Sequence, residues 1–188
     1  MQRGKEMFPP VLKPMIDITK NYWFAVKTQK EFEAERLLSQ ECEEVFLPKE
    51  KVELNSGATR IRPVIPRLLF IRQTPEKALE IEERGRSLDD RMVPLWIYRY
   101  EKGGEIQPIK DEEIRLVKLL TSNDTTKCEV YGKTDFKKGQ HVRITGGPFA
   151  GYTGHVQRIK KNKHVVVELS GLCAIALPFI HPDLLQPI

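Results

Sequence analysis

The stretch Gly146-Gly147-Pro148-Phe149-Ala150-Gly151-Tyr152-Thr153-Gly154 decides how this chain is read. Four glycines and a proline fall within nine residues. They separate two runs with strand character, His141–Thr145 and His155–Ile159. Glycine reaches positive φ without steric cost and proline fixes φ near −65°, so the pattern specifies a backbone reversal, not a slack linker. Phe149 and Tyr152 are aromatic where loops are usually polar, which predicts that at least one folds back onto a small β core.

Downstream, Val165–Leu169 and Cys173–Leu177 alternate as further strands, and the last 54 residues show no helical period. Upstream, Tyr22–Thr28 is dense in aromatic and β-branched residues and reads as a buried strand. Residues 30–42 place Ala34, Leu37, Leu38 and Cys42 on one helical face. Short strands are expected at Val45–Leu47, Lys51–Leu54, Arg60–Val64 and Leu68–Arg72, with a turn at Asn55-Ser56-Gly57. Thr74-Pro75 opens a second helix as N-cap and first helical residue. Leu95–Tyr100 is another strand, and Asp111, Glu112 and Glu113 start a third helix with acidic residues that suit its dipole.

The expected fold is an α+β unit with a small antiparallel sheet and about three helices, followed by a small five-stranded β-barrel. The expected boundaries are a flexible tail over 1–18, the first domain over 19–121, a polar linker over 122–134 and the barrel over 135–188. Residues 1–21 lack the apolar core of a signal peptide and no run approaches a membrane span, so a cytoplasmic monomer without membrane contact is expected. Cys42, Cys128 and Cys173 are odd in number and show no C-x-x-C spacing, which favours reduced thiols.

Of the net charge of +5, residues from Asp135 onward contribute four, with seven basic against three acidic side chains. A basic C-terminal module points to nucleic acid or an acidic partner. Lys160-Lys161-Asn162-Lys163, taken alone, reads as a solvated loop. The four histidines (His141, His155, His164, His181) all lie in this module without ligand spacing, so no metal is expected. No nucleophile elbow, P-loop or H-E-x-x-H is present, adjacent acidic pairs such as Glu82-Glu83 point apart, and neither enzyme chemistry nor a cofactor is expected.

The glycine turn resembles a KOW motif, found in small β-barrels of transcription elongation factors and ribosomal proteins. The SH3-like form of the barrel is what that resemblance implies. The order of aromatic strand, helix, Phe46-Leu47-Pro48, basic segment, Pro66 and Leu68-Leu69-Phe70-Ile71, closed by Pro108–Ile114, resembles the N-terminal domain of the NusG family. Together the two resemblances cover residues 22–186. Where housekeeping members carry aromatics and a Pro-Gly-Tyr, this chain has Val64-Ile65-Pro66-Arg67-Leu68. With Tyr98–Gly104, that departure resembles the specialised UpxY type, antiterminators of polysaccharide biosynthesis operons such as those for capsules.

The resemblance implies binding of the RNA polymerase clamp coiled coil through Tyr22, Trp23, Val64, Ile65 and Leu68. It implies contact of Arg62, Arg67 and Arg72 with non-template DNA or nascent RNA. Arg60 belongs to the same run but reads rather as a solvated residue paired to glutamate. A second partner, a ribosomal protein or termination factor, would meet the barrel near Gly146, Gly147, Pro148, Phe149, Gly151 and Gly154, with Phe149 as the contact and the glycines as turn positions. Alternatives are a general elongation or termination factor of the same family and a ribosome-associated RNA-binding protein.

Overall fold

The computed structural model describes residues 16–87, 92–122, 129–131, 139–159, 162–169 and 172–188. The expected tail over 1–18 therefore falls mostly outside the described residues, as do Cys128, Lys160 and Lys161. Strand β1 (Tyr22–Thr28) leads into helix α1 (Glu31–Leu38). Strands β2 (Glu44–Phe46), β3 (Lys49–Glu53), β4 (Thr59–Pro63) and β5 (Leu68–Gln73) precede helix α2 (Pro75–Arg86). Then come β6 (Leu95–Ile97), α3 (Asp111–Ser122), β7 (Glu129–Tyr131), β8 (His141–Ile144), β9 (Thr153–Ile159), β10 (Asn162–Leu169), β11 (Cys173–Ala176) and β12 (Leu185–Pro187).

The first sheet is antiparallel in the order β2-β5-β1-β6. Residues directly paired across strands share a face, and alternate residues along a strand take opposite faces. On one face lie Phe24, Val26, Leu69 and Ile71, packed with Ala34 and Leu38 of α1 and Ala78 and Ile81 of α2. On the other lie Trp23, Ala25, Leu68 and Phe70, packed with Ile114, Leu116, Val117 and Leu120 of α3. The sheet is thus the middle layer between two helical layers.

Local chemistry sets the helix ends. Thr74 caps α2 by accepting from the Lys77 N–H, with Pro75 at the first helical position. In α3, Glu113 reaches back to accept from the Lys110 N–H at 3.1 Å, the return half of a capping box. Helix α2 lies so close to β6 that a Cβ on Gly85 would meet the Leu95 carbonyl oxygen at 2.9 Å.

Strands β3 and β4 form a ribbon of their own, apart from both larger sheets. The second sheet is antiparallel in the order β12-β8-β9-β10-β11-β7. Five of its strands, β8 to β12, lie in the segment expected as the barrel, and β7, inside the segment expected as linker, adds a sixth by pairing with β11. Among the described residues β12 and β7 are its edges, and no ladder joins them into a closed barrel. The reversal is built as a specified turn: Gly151 N–H donates to the Ile144 carbonyl at 2.8 Å, with positive φ at Gly147 (+77°) and Gly151 (+89°).

The two sheets are not separate bodies in packing. The apolar cluster under α3 continues into Val142, Ile144, Phe149, Val165, Val167 and Ile175 of the second sheet. The Tyr152 hydroxyl donates to the Glu112 carbonyl at 3.4 Å.

Candidate partner-binding face

The α3-side face of the first sheet is the place to look for a protein interface, because its helix covers only part of it. Ladder register defines the uncovered part. Leu68 pairs with Lys27, and Lys27 pairs with Trp96, so these three form one row across β5, β1 and β6 on the Trp23 side. Leu68 is buried (4% exposed), whereas Trp96 is 47% exposed. The Lys27 ammonium sits 4.7 Å from the centre of the Tyr98 ring, a cation–π contact that fixes both side chains. At the other end of the same face, the Lys118 ammonium of α3 lies over Trp23 and Phe46 and pairs with Glu44. One end of the face is closed by α3 and its lysine, and the other presents an aromatic edge.

This end of the sheet is held rigidly. Glu82 of α2 is buried, accepts from the Ile97 N–H at 3.1 Å, and is gripped by both terminal nitrogens of Arg99 at 2.7 and 2.6 Å. Burial pushes the Glu82 carboxyl up, but the Arg99 guanidinium and the Ile97 N–H outweigh it and hold it below its ordinary value. The pair ties α2 to the segment carrying Trp96 and Tyr98.

The residues singled out from sequence fall in different places. Trp23 and Ile65 are 3% and 5% exposed and, with Leu68, belong to the core beneath the face. Tyr22 points to the opposite side and packs with the α1–α2 cluster. Val64 is half-buried at the edge of the α3-side cluster. The five are therefore not one surface pocket: β-alternation separates Tyr22 from Trp23, and packing covers Trp23, Ile65 and Leu68.

The basic residues also part company. Arg62 is ion-paired to Glu50 at 2.7 Å across the ribbon. Arg72 lies 3.7 Å from Glu43, and its Nε is buried without a hydrogen bond, so it is a partly enclosed residue and not a free cation. Arg60 is exposed on β4, without an ion-pair partner among the described residues. Arg67 is exposed and stands at φ +62°, its N–H donating to Glu31 at 2.6 Å. In the second sheet, Phe149 is buried (9% exposed), which removes it as a surface contact. Phe179, after β11, is 74% exposed instead. Pro148 and Gly147 are exposed at the turn, Gly146 approaches Leu184, and Gly154 packs against the β10 backbone. Burial pushes the thiols of Cys42 and Cys173 up to about 12, so neither is an activated nucleophile.

A family model described as transcription termination factor NusG matches residues 21–118, more than half of the chain. The chain belongs to the NusG family. A KOW motif model matches residues 138–168, which hold the glycine turn and the β8, β9 and β10 strands. A transcription termination/antitermination protein NusG from Borreliella burgdorferi is 29% identical over 171 residues, covering 79% of this chain and 90% of that protein. Among solved structures, an MjSpt4:Spt5 complex in its conformation B is 20% identical, covers 88% of this chain and 96% of that chain, and has a TM-score of 0.26, too low to carry a fold comparison. As a NusG-family member the chain is a transcription elongation or termination factor. No helix among the described residues is long and apolar enough to cross a membrane.

Lys27, Trp96 and Tyr98 are what sequence reasoning missed. The sequence reads Trp96 and Tyr98 as part of a strand, Leu95–Tyr100, without giving either a face. The available signal was period two: in a strand with Leu95 and Ile97 inward, Trp96 has to point to the other side.

Proposed function

We propose that this NusG-family chain is a processive antiterminator of the UpxY type. It docks RNA polymerase through the open end of the α3-side face and holds a second partner with its KOW module. The observation that carries the docking is the row Leu68–Lys27–Trp96, in which a buried apolar residue runs out to a half-exposed tryptophan beside a fixed Lys27–Tyr98 pair. A helical hairpin of the polymerase clamp suits such a row, since aromatic anchors in a partly desolvated groove carry most of the energy of helix recognition. Val64 stands half-buried at the edge of the same cluster, and Trp23 and Ile65 support the row from beneath.

Residues 19–121 and 135–188 act as the two modules, in the cytoplasm, and the KOW module takes a ribosomal protein or a termination factor, with exposed Phe179 as its contact. Arg60 and Arg67 are the cations available to non-template DNA or nascent RNA; Arg62 and Arg72 are already paired. Support for the specialised type comes from Arg67 and Leu68 in place of the Gly and Tyr of housekeeping members, and a polysaccharide biosynthesis operon is the target that type implies.

The test is capture of RNA polymerase by the full chain. Trp96→Asp should abolish capture, while Ile61→Asp on the exposed face of the ribbon should leave it intact. Undiminished capture by Trp96→Asp would refute the docking face. A second reading, a general elongation or termination factor, is favoured by the name of the Borreliella relative. Deletion of the gene separates the two: transcript loss confined to one operon supports the specialised reading, and genome-wide change supports the general one.

A further inference from the structure

His141 of β8 and His155 of β9 stand opposite one another in their ladder. The neighbouring bonds fix the type of pair. Val156 N–H donates to Gln140 O, and Ile144 N–H donates to Tyr152 O. Hydrogen-bonded and non-hydrogen-bonded pairs alternate, so His141–His155 is of the non-hydrogen-bonded type, in which side chains come closest. Their rings stack with centroids 4.6 Å apart, inclined by 24°. Nδ1 of His155 lies 3.3 Å from the Gly139 carbonyl oxygen. A carbonyl only accepts, so this contact assigns the proton to Nδ1 and leaves the Nε2 lone pair unused. Metal-bound imidazoles make this kind of bond with their remote nitrogen, which fixes tautomer and orientation.

We propose that His141 and His155 form a two-imidazole chelate for a late first-row divalent cation of the Zn²⁺, Ni²⁺ or Cu²⁺ class. Neutral imidazole nitrogen suits these ions and not Mg²⁺ or Ca²⁺, which need converging oxygens. His141 is exposed, and χ2 of histidine is a broad torsion, so rotation of its ring alone can bring its Nε2 beside that of His155, whose orientation the Gly139 carbonyl holds. No third His, Cys, Asp or Glu converges with them among the described residues. Water fills the other positions, and the site is an exchangeable one rather than a closed structural one. Both histidines line a groove of about 760 Å³ that also holds Glu168 of β10 and Glu112 and Glu113 of α3. A bound dication would link β8 to β9 across the glycine turn, at the wall of this groove. Because the unfolded chain does not hold the two imidazoles together, binding favours the folded second sheet.

The spacing of the two histidines hid this site. They are far apart for a sequence motif and become neighbours only because the reversal at Gly146–Gly154 sets the register. The experiment uses the untagged full chain with Ni²⁺ as probe in calorimetric titration, and Cu²⁺ with electron paramagnetic resonance to count nitrogen ligands. One equivalent should bind, with two nitrogens on copper. Either His141→Ala or His155→Ala should weaken Ni²⁺ binding about 100-fold, the loss expected when a second tethered ligand is removed. His164→Ala and His181→Ala should not. The thermal midpoint should rise with Ni²⁺ in the parent chain and stay unchanged in the two ligand variants, whose circular dichroism checks that they fold. Absence of stoichiometric binding, or equal loss in His164→Ala, would overturn the site and leave the pair as a stacking contact.

Discussion

The two faces of the first sheet are built from the same strands and end in opposite conditions. The face holding Phe24, Val26, Leu69 and Ile71 lies under α1 and α2, and all four residues are completely enclosed. The face holding Trp23, Ala25, Leu68 and Phe70 lies under α3, which leaves the Lys27–Trp96 end uncovered. The difference teaches where a docking surface arises in such a fold. The strands supply apolar rows on both faces, and function is possible where a helix stops short of covering one.

Breaking the sealed face should have the largest effect. Phe24→Ala removes a fully buried ring and should cost about 4 kcal/mol in unfolding free energy. Trp96→Ala on the open face should cost less than about 1 kcal/mol while abolishing polymerase capture. Urea unfolding of both variants, beside the capture assay, checks the contrast. Equal destabilisation would mean that Trp96 is core and that the open end is not a surface.

The same contrast recurs in the second sheet with the two phenylalanines. Phe149→Ala, at a buried position beside the glycine turn, should cost about 3 kcal/mol. Phe179→Ala should leave stability within about 0.5 kcal/mol. If Phe179 contacts a partner, its loss appears in binding and not in thermal unfolding.

A third variant sharpens the comparison by loosening the open end without removing any of its surface. Glu82→Gln leaves the half-enclosed Arg99 without its carboxylate and should cost about 2 to 3 kcal/mol. Its pH dependence has a definite sign. The folded-state pKa of Glu82 lies below the ordinary value of 4.5, so its contribution is complete above that value and is lost as pH falls through the folded pKa. Urea midpoints of parent and variant should differ most near neutral pH and converge as the pH falls below the ordinary value of 4.5 and through the folded pKa. A gap that stays constant at acid pH would show that packing, and not the ion pair, holds β6 to α2.

Much of this was readable in the chain before its structure. Thr74-Pro75 starts α2, and the acidic run starts α3, because capping and dipole effects are local. The glycine reversal was legible for the same reason. The placement of the candidate interface was not. Tyr22 and Trp23 are neighbours in sequence and belong to opposite faces, and only the ladder between Lys27 and Trp96 reveals which row reaches the surface. Pairing of β7 with β11 was hidden too, since a three-residue strand carries too short a pattern to show a period. What burial does to Phe149 and Phe179 depends on contacts far apart in the chain, which composition does not encode.

The smallest effect concerns the edge where the two faces meet. Arg67 holds φ +62°, in the left-handed region that side chains with a Cβ enter at a cost of roughly 1 kcal/mol. Its backbone is nonetheless secured on both sides, by its N–H to Glu31 and by its carbonyl accepting from the Thr28 N–H at 3.2 Å. Arg67→Gly removes the Cβ conflict and keeps both bonds, at the expense of a more flexible unfolded chain. The two terms nearly offset, and a net gain of about 0.5 kcal/mol in unfolding free energy is expected. Arg67→Ala keeps the strain and removes only the guanidinium, so it should leave stability unchanged within about 0.5 kcal/mol. Comparing the two variants separates backbone from charge. If both weaken binding to an elongation complex assembled on a nucleic-acid scaffold, and both reduce its salt dependence, the guanidinium is what this position contributes. If only Arg67→Gly weakens it, rigidity of the turn leading into the Leu68 row is what matters.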